Sequence, residues 1–398
     1  MHPTHHTSSR VRKQVSSRKA MVGGRLKSVK HASPSIESVV RYHFPCYHSQ
    51  TLNSVPSGLL GGTSRYQAAL DPQCHRIKKL WLQFTIHVDG GISVDLPPTW
   101  TWLERVSWRA NGGSTALLDT FPSDVLPLKL AAELSFDKSD KMHSLMSSMN
   151  AENFATTATN LPPGTHTFYL PVLDLFEDTI LEGLAGDITA DLYPSGIIPS
   201  TVTVTSLQWI VATDRVSQED RSSQMKALKQ AIHSRSVPES IRYEITNRTL
   251  SPSTEFAVDL DSFNGHSMAL LIYIRDASGN KIDLAAGAEC DIESASGRSM
   301  FGQGSLVPVD LLQSWGDMFA NSFVEQVPSL VIPFTDSLVS AMQHGVRSGC
   351  YHFTGERARL ILKPGPTFPQ ASNYSICVYM LRYSRLSRFR DRLSMSSD

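Results

Sequence analysis

The residues closest to a metal-binding set are His43, Cys46, His48, Cys74 and His75, in "HFPCYH" and "CH". Cysteine and histidine are the ligand types that zinc takes tetrahedrally. Their spacing matches no standard zinc finger, and fourteen histidines make chance clusters easy. These side chains are expected to pack on an arm or first strand, with no metal. A second set, Asp174, Glu177 and Asp178, puts three carboxylates in five residues. Such a set suits calcium or paired acid–base work. No partner acid, aromatic platform or activated nucleophile is identifiable with it, so a solvated turn is expected. "GLLGGTS" from Gly58 lacks the lysine and the strand–helix context of a phosphate loop. Neither Gly-x-Ser-x-Gly nor His-Glu-x-x-His occurs. The expectation is no enzyme and no cofactor.

The strongest chemical signal is charge. The chain has a net charge of zero, yet residues 1–36 carry +8, and the rest therefore carries −8. The positive residues are Arg10, Arg12, Lys13, Arg18, Lys19, Arg25, Lys27 and Lys30. A polycation of this kind gains affinity for polyanions by releasing their counterions. Nucleic acid, an anionic membrane and an acidic protein face all satisfy that description. A second basic cluster follows the last strand-like text: Arg382, Arg385, Arg388, Arg390 and Arg392. It is expected to be a tail, serving as a second anchor or simply solvated.

These groups must be held by an ordered body. At 398 residues the chain suits two domains, and 41% hydrophobic residues suffice for real cores. The longest useful apolar run, "MALLIYI", is too short to span a bilayer, and no secretory signal is expected. Five scattered cysteines argue against a disulfide framework and for folding in a reducing compartment.

In "IKKLWLQFTIHVDGG", Leu80, Leu82, Phe84, Ile86 and Val88 alternate as one buried face of a strand should. "TWLERVSWRANGG" reads as a strand into an Asn-Gly turn. Residues Pro122–Asn150 change to helical texture. Strands return at Thr165–Leu173, Ile188–Tyr193 and Ser200–Asp214; the last loses its alternation halfway, predicting burial on both faces there. Ser217–Ser234 predicts a capped polar helix with a stripe of Met225, Leu228 and Ile232.

The second half repeats this order of elements. "SLVIPF" stands to "FYLPVL" as Pro333 stands to Pro171, 162 residues apart. Closing strands align at Leu207 and Cys377, 170 apart, and opening strands at Ile77 and Ile241, 164 apart. "AECDIESASG" corresponds to the strand before Asn-Gly-Gly, and "PVDLLQSWGDMF" to the helical interruption. The expected fold is all-β: two tandem eight-stranded jelly rolls with short inserted helices. The expected boundaries are an arm over 1–40, rolls over 41–216 and 237–386, a connecting helix over 217–236 and a basic tail over 387–398.

The run from "VDLPPTWTWLERVSWRANGG" to "MHSLMSSMN" resembles the first half of double-jelly-roll major capsid proteins of adenoviruses, tailless membrane-containing phages, virophages and large DNA viruses. "TFYLPVLDLFED" is similar to that family's strand with a Pro-Leu core, with Val172 in place of the usual leucine. "TDRVSQEDRSSQMKALKQAI", "MALLIYIRD" and "SGCYHFTG" resemble its later segments in order. The resemblance covers about residues 65–385. It implies a homotrimeric capsomer of an icosahedral shell, located in the virion. Its partners would be other copies of the chain, neighbouring capsid proteins such as pentons, and genome or internal membrane through the arm. Two other readings compete: an RNA-virus capsid with one jelly roll and a projecting domain, and a carbohydrate-binding or carbohydrate-active jelly-roll protein. The first requires unequal halves; the second requires exposed tryptophans from among Trp100, Trp102 and Trp108.

Overall fold

The computed structural model describes residues 45–51, 66–70, 76–91, 93–113, 116–126, 159–172, 176, 179–214, 217–294, 296–301, 306–315, 329–335, 349–353 and 357–397. The first half supplies β1 (Pro45–Thr51), β2 (Tyr66–Leu70), β3 (Ile77–Val88), β4 (Val94–Leu96), β5 (Leu103–Arg109), β6 (Leu118–Thr120), β7 (Thr159–Leu161), β8 (Gly164–Val172), β9 (Ile188–Pro194) and β10 (Val202–Asp214). After helix α1 (Gln218–Gln230) come β11 (His233–Leu250), β12 (Phe256–Asp259), β13 (His266–Arg275), β14 (Lys281–Ile282), β15 (Glu289–Glu293) and β16 (Val307–Pro308). Helix α2 (Val309–Trp315), β17 (Leu330–Pro333), β18 (Tyr351–His352), β19 (Arg359–Lys363), β20 (Ala371–Phe389) and β21 (Arg392–Ser397) complete the order.

Two four-stranded sheets form the first half: β1-β10-β3-β8 and β2-β9-β5-β6. The second half gives β11-β20-β13 with β17 on the far side of β13, and β12-β19-β15-β16. Among the described residues, with β4 and β7, which pair with each other, and β14, β18 and β21 set aside, each half has eight framework strands. In both halves one sheet reads first, eighth, third, sixth, and the other second, seventh, fourth, fifth. That is the same antiparallel jelly roll twice. A single roll with a projecting domain is thereby overturned.

The two prolines fall on equivalent strands. Pro171 in β8 sits opposite Trp81, and Pro333 in β17 opposite Ala269. Each strand is the sixth of its roll and lies at a sheet edge, where a missing N–H is tolerated. The closing strands β10 and β20 also correspond. The opening alignment does not: Ile77 begins the third strand of its roll, whereas Ile241 lies in the first strand of the other. Both segments are β-rich text following loops, and composition alone did not distinguish them.

Alternation in β3 is as expected, with Leu80, Leu82, Phe84, Ile86 and Val88 buried. In β10 the cause of fading alternation is different from two-sided burial. Val204 pairs with Ile86 and Ser206 with Thr85, so one extra residue bulges out. The bulge switches the inward face from Val202 and Val204 to Leu207, Trp209 and Val211, all buried in one core. At the end of β5, Asn111 (φ 60°) and Gly112 (φ 64°) both take left-handed conformations, the geometry of a tight hairpin turn.

Helix α1 begins at Ser217, whose hydroxyl accepts from the Asp220 amide at 3.2 Å, the cap expected from sequence. The helix stops at Gln230, short of Ile232, which is 65% exposed. Of the proposed stripe only Leu228 is buried. After β6 and again after β16, the fifth strands of their rolls, the chain turns helical, at 122–126 and in α2.

Candidate functional site

"MALLIYI" is apolar without alternation because both faces of β13 are covered. Leu270, Ile272 and Ile274 point into the second roll's core. Ala269, Leu271 and Tyr273 join Met268, Val331, Cys377, Tyr379, Leu381 and Tyr383 in a separate cluster on the other face. Phe121, from the exit of β6, packs into that cluster, with Val125 partly buried beside it. The rolls therefore meet at a buried, largely apolar seam. A helical turn from the first roll covers a sheet face of the second.

A polar group sits inside this seam. Asp124 is buried, and its carboxylate accepts from the Tyr379 hydroxyl and the Arg275 guanidinium. The Tyr273 hydroxyl donates to the Asp124 backbone carbonyl at 2.6 Å. Burial raises the Tyr273 and Tyr379 phenols well above their ordinary range, and the nearby Asp124 charge adds to the effect. For Arg275, burial works against the charge, but Asp124 and the neighbouring Cys377 and Tyr379 outweigh it and leave its pKa raised. A buried charge with its partner and hydrogen bonds in place fixes one arrangement of its neighbours.

Beside the seam lies a polar cleft of about 550 Å³ between β5, β6 and β9 of one roll and β11 of the other. Arg242 on β11 reaches across it, donating to Glu104 of β5 at 2.9 Å and to Glu244 at 2.5 Å. Arg105 lies 4.1 Å over the Tyr193 ring. Arg382 donates to Glu239 at 2.8 Å and to the Asn264 carbonyl at 3.0 Å.

The expected basic tail is instead a β-hairpin, because β20 continues to Phe389 and β21 returns along it. Leu386, Leu393 and Val237 enter the first roll's core, with Met395 packed against it. Strand β11 starts at His233, and β11 and β20, with 18 and 19 residues, each place side chains in the cores of both rolls. Arg388 is 3% exposed and donates to the backbone carbonyls of Arg390, Ile180 and Glu182. Burial pushes its pKa below the ordinary arginine range. It is a clamp on the first roll's loops and is not available as an anchor. Asn111 completes the clamp, donating to the Leu393 carbonyl at 2.7 Å and accepting from the Leu393 amide at 2.9 Å. Arg385, Arg390 and Arg392 are exposed, and Arg382 is half-buried in the Glu239 pair.

The eight arm residues, His43, Cys74, His75, Asp174, Glu177 and Asp178 lie outside the described residues. Cys46 and His48 stand on β1 opposite Thr213 and Val211. No group of three potential metal ligands occurs among the described residues. Trp100, Trp102 and Trp108 are at most 1% exposed and form a core with Phe84, Phe168, Phe176 and Trp209. None of the three is a sugar platform. Sequence reasoning missed Asp124 and the clamp. Their only sequence signals were a carboxylate two residues after a proline and the regular spacing of Arg382, Arg385 and Arg388.

No family model matches the chain, and no curated protein does. Solved structures do. The crystal structure of PBCV-1 VP54, fitted into a reconstruction of the virophage Sputnik, superposes with a TM-score of 0.65 at 12% identity, over 90% of this chain and 98% of that one. The Sputnik virophage structure gives 0.55 at 10% identity, over 95% and 93%. The Faustovirus major capsid protein gives 0.54 at 8% identity, over 86% and 90%. Together with the repeated strand order, these likenesses establish that the chain has the double-jelly-roll fold found in those viral capsid proteins.

Proposed function

We propose that the protein is a viral major capsid subunit that forms homotrimeric, pseudo-hexagonal capsomers and tiles an icosahedral shell in the virion. The observation that carries this reading is the identical strand order of the two rolls within one chain. Three such chains supply six equivalent sandwiches, which is how a trimer fills a near-sixfold site. A rigid building block is the required property, and the buried seam with its Asp124 group supplies it. Contact between subunits needs apolar surface, and Ile197, Ile232, Met300, Leu311 and Phe389 offer it. An obligate trimer interface of this kind buries about 2,000 Å² or more.

Partners in this reading are other copies of the chain and neighbouring capsid proteins such as pentons. The basic arm, Arg10 through Lys30, would hold genome, internal membrane or adjacent subunits. Solution mass tests the reading: three times 43.9 kDa supports it, and a monomer at assembly concentrations overturns it. Replacing the eight arm cations with serine should leave the trimer intact and impair encapsidation or shell closure. Normal filled particles would remove the arm from the account.

A further inference from the structure

The β20–β21 hairpin has a second face. Leu386, Arg388 and Leu393 turn inward and are buried. Phe389 and its cross-strand partner Arg392 therefore point outward, with the paired Ser387 and Ser394 one row behind. On the other side of β20, the register His233↔Arg388 continues through the extended Ala231 and brings Ile232 level with Phe389. Ser234 stands opposite Ser387. Three strands thus share one outward face: Ile232, Phe389 and Arg392 at its end, and a row of serines behind them. Ile232 is 65% exposed and Phe389 42%.

Cations stand around this apolar pair. The Arg390 guanidinium lies 5.0 Å over the Phe389 ring, and the Arg390 amide donates to the Leu228 carbonyl at 3.2 Å, which brings the end of α1 alongside. There Lys226 and Lys229 are exposed, as are Arg390 and Arg392 on the hairpin. Segments 226–235 and 385–396 contain one acid, Asp391. The carboxylate of Glu182, whose carbonyl Arg388 holds, is taken by Arg221 at 2.6 Å. Residues 37–398 as a whole carry −8, so this face is cationic on an acidic body. Exposed apolar side chains ringed by cations fit a partner that is anionic outside and apolar just beneath. Nucleic acid meets only the first condition: Ile232 has no ring to stack on a base, and Phe389 already carries Arg390. A second copy offering the same face would set like charges together. We infer that this face docks on the surface of an anionic lipid bilayer. Ile232 and Phe389 enter the interface, the four cations meet phosphates, and the serine hydroxyls donate to headgroup oxygens. This contact is separate from the basic arm and does not depend on the oligomeric state.

The test uses the full chain with its eight arm cations replaced by serine, so that the arm adds nothing to the signal. Co-sedimentation with mixed phosphatidylglycerol–phosphatidylcholine vesicles should show saturable binding, about tenfold or more weaker on pure phosphatidylcholine. Ile232→Ser with Phe389→Ser, and separately Arg390→Asn with Arg392→Gln, should each weaken binding about tenfold or more. Asparagine is chosen because position 390 has a φ of 55°. All four side chains are exposed, so melting temperature and tryptophan emission should stay as they were. Phe389→Trp should add emission that brominated acyl chains quench, which a purely electrostatic contact would not give. Absence of binding, equal binding by the substituted chains, or an unquenched Trp would each overturn the inference. So would tighter binding to single-stranded DNA than to vesicles, lost with the same substitutions, which would make the face a nucleic-acid site.

Discussion

Every buried residue of the second roll's core cluster lies between Leu250 and Met380, within that roll's own strands, loops and helix α2. The first roll's cluster includes Val237, Leu386 and Leu393, which come from β11, β20 and β21. The filling differs as well. The first core is built on Trp100, Trp102, Trp108 and Trp209, while no tryptophan appears in the second cluster, which relies on Phe263, Phe353, Phe368 and Tyr374. One sandwich closes itself; the other is closed by its neighbour. A repeated fold in one chain is therefore not two independent domains: the seam is shared, while in the sandwich cores the dependence runs in one direction.

The largest break comes from removing the closing hairpin. Deleting residues 387–398 discards Leu393, the Arg388 clamp and the Asn111 bonds. Each large apolar residue lost from a core costs about 2–5 kcal/mol, against about 5–15 kcal/mol for a whole domain. The first roll should unfold while the second stays folded. Red-shifted tryptophan emission would report it, since Trp100, Trp102, Trp108 and Trp209 are all in the first core. Leu393→Ala is the graded version, at about 2–4 kcal/mol. Unchanged emission in the truncated chain would refute the one-way dependence.

The seam comes next in size. Asp124→Ala leaves the Arg275 charge and the Tyr379 hydroxyl facing an apolar cluster. Removing one partner of a buried pair costs about 3–5 kcal/mol. The same loss should lower the melting temperature of both rolls, because the seam belongs to both. An effect confined to one transition would show that the seam does not couple them.

A smaller effect is set by pH. Burial pushes Cys290 up to about 12 and Cys377 up to about 11, from an ordinary value near 9. Tyr273 and Tyr379 are raised above their ordinary value of 10. Once unfolded, these groups release protons as the pH passes 9 to 10; folded, they hold them. Above pH 9 the folded state binds more protons, so stability is full below that pH and falls as it rises toward 11 or 12. Each unit of withheld ionisation is worth about 1.4 kcal/mol. Melting temperature should drop more steeply between pH 9 and 11 than between 7 and 9, and Cys377→Ala should flatten part of the slope. An unchanged slope in that variant would remove Cys377 from the explanation.

The fold was legible because period-two alternation in β3, the Asn111-Gly112 turn, the Ser217 cap and the paired prolines are local signals, each caused by neighbouring residues. The bulge in β10 was not, since one extra residue shifts the inward face while leaving composition unchanged. Nor was the clamp. Arg388 looked like a charge on a tail because nothing near it in sequence reveals the Ile180 and Glu182 carbonyls, some two hundred positions away, that solvate it. Asp124 gave no local sign of its role either, since its partners at 273, 275 and 379 are likewise distant. The candidate site was hidden in sequence because it is made by two rolls meeting.

The finest test uses thiols to ask which roll opens. Cys350 is exposed at the start of β18, whereas Cys290 and Cys377 are buried in the second core and the seam. Thiolate is the reactive form, and raising Cys377 by about two units leaves about a hundredfold less of it at neutral pH. In a chain carrying Cys46→Ser and Cys74→Ser, one thiol should react quickly with a disulfide reagent and two slowly. The hairpin deletion then separates the regions. Cys290 should remain slow, because its core borrows nothing from residues 387–398, and Cys377 should quicken only if losing the first roll uncovers the seam. Fast labelling of Cys290 in the truncated chain would mean that the second sandwich also leans on the first, so that closure is mutual.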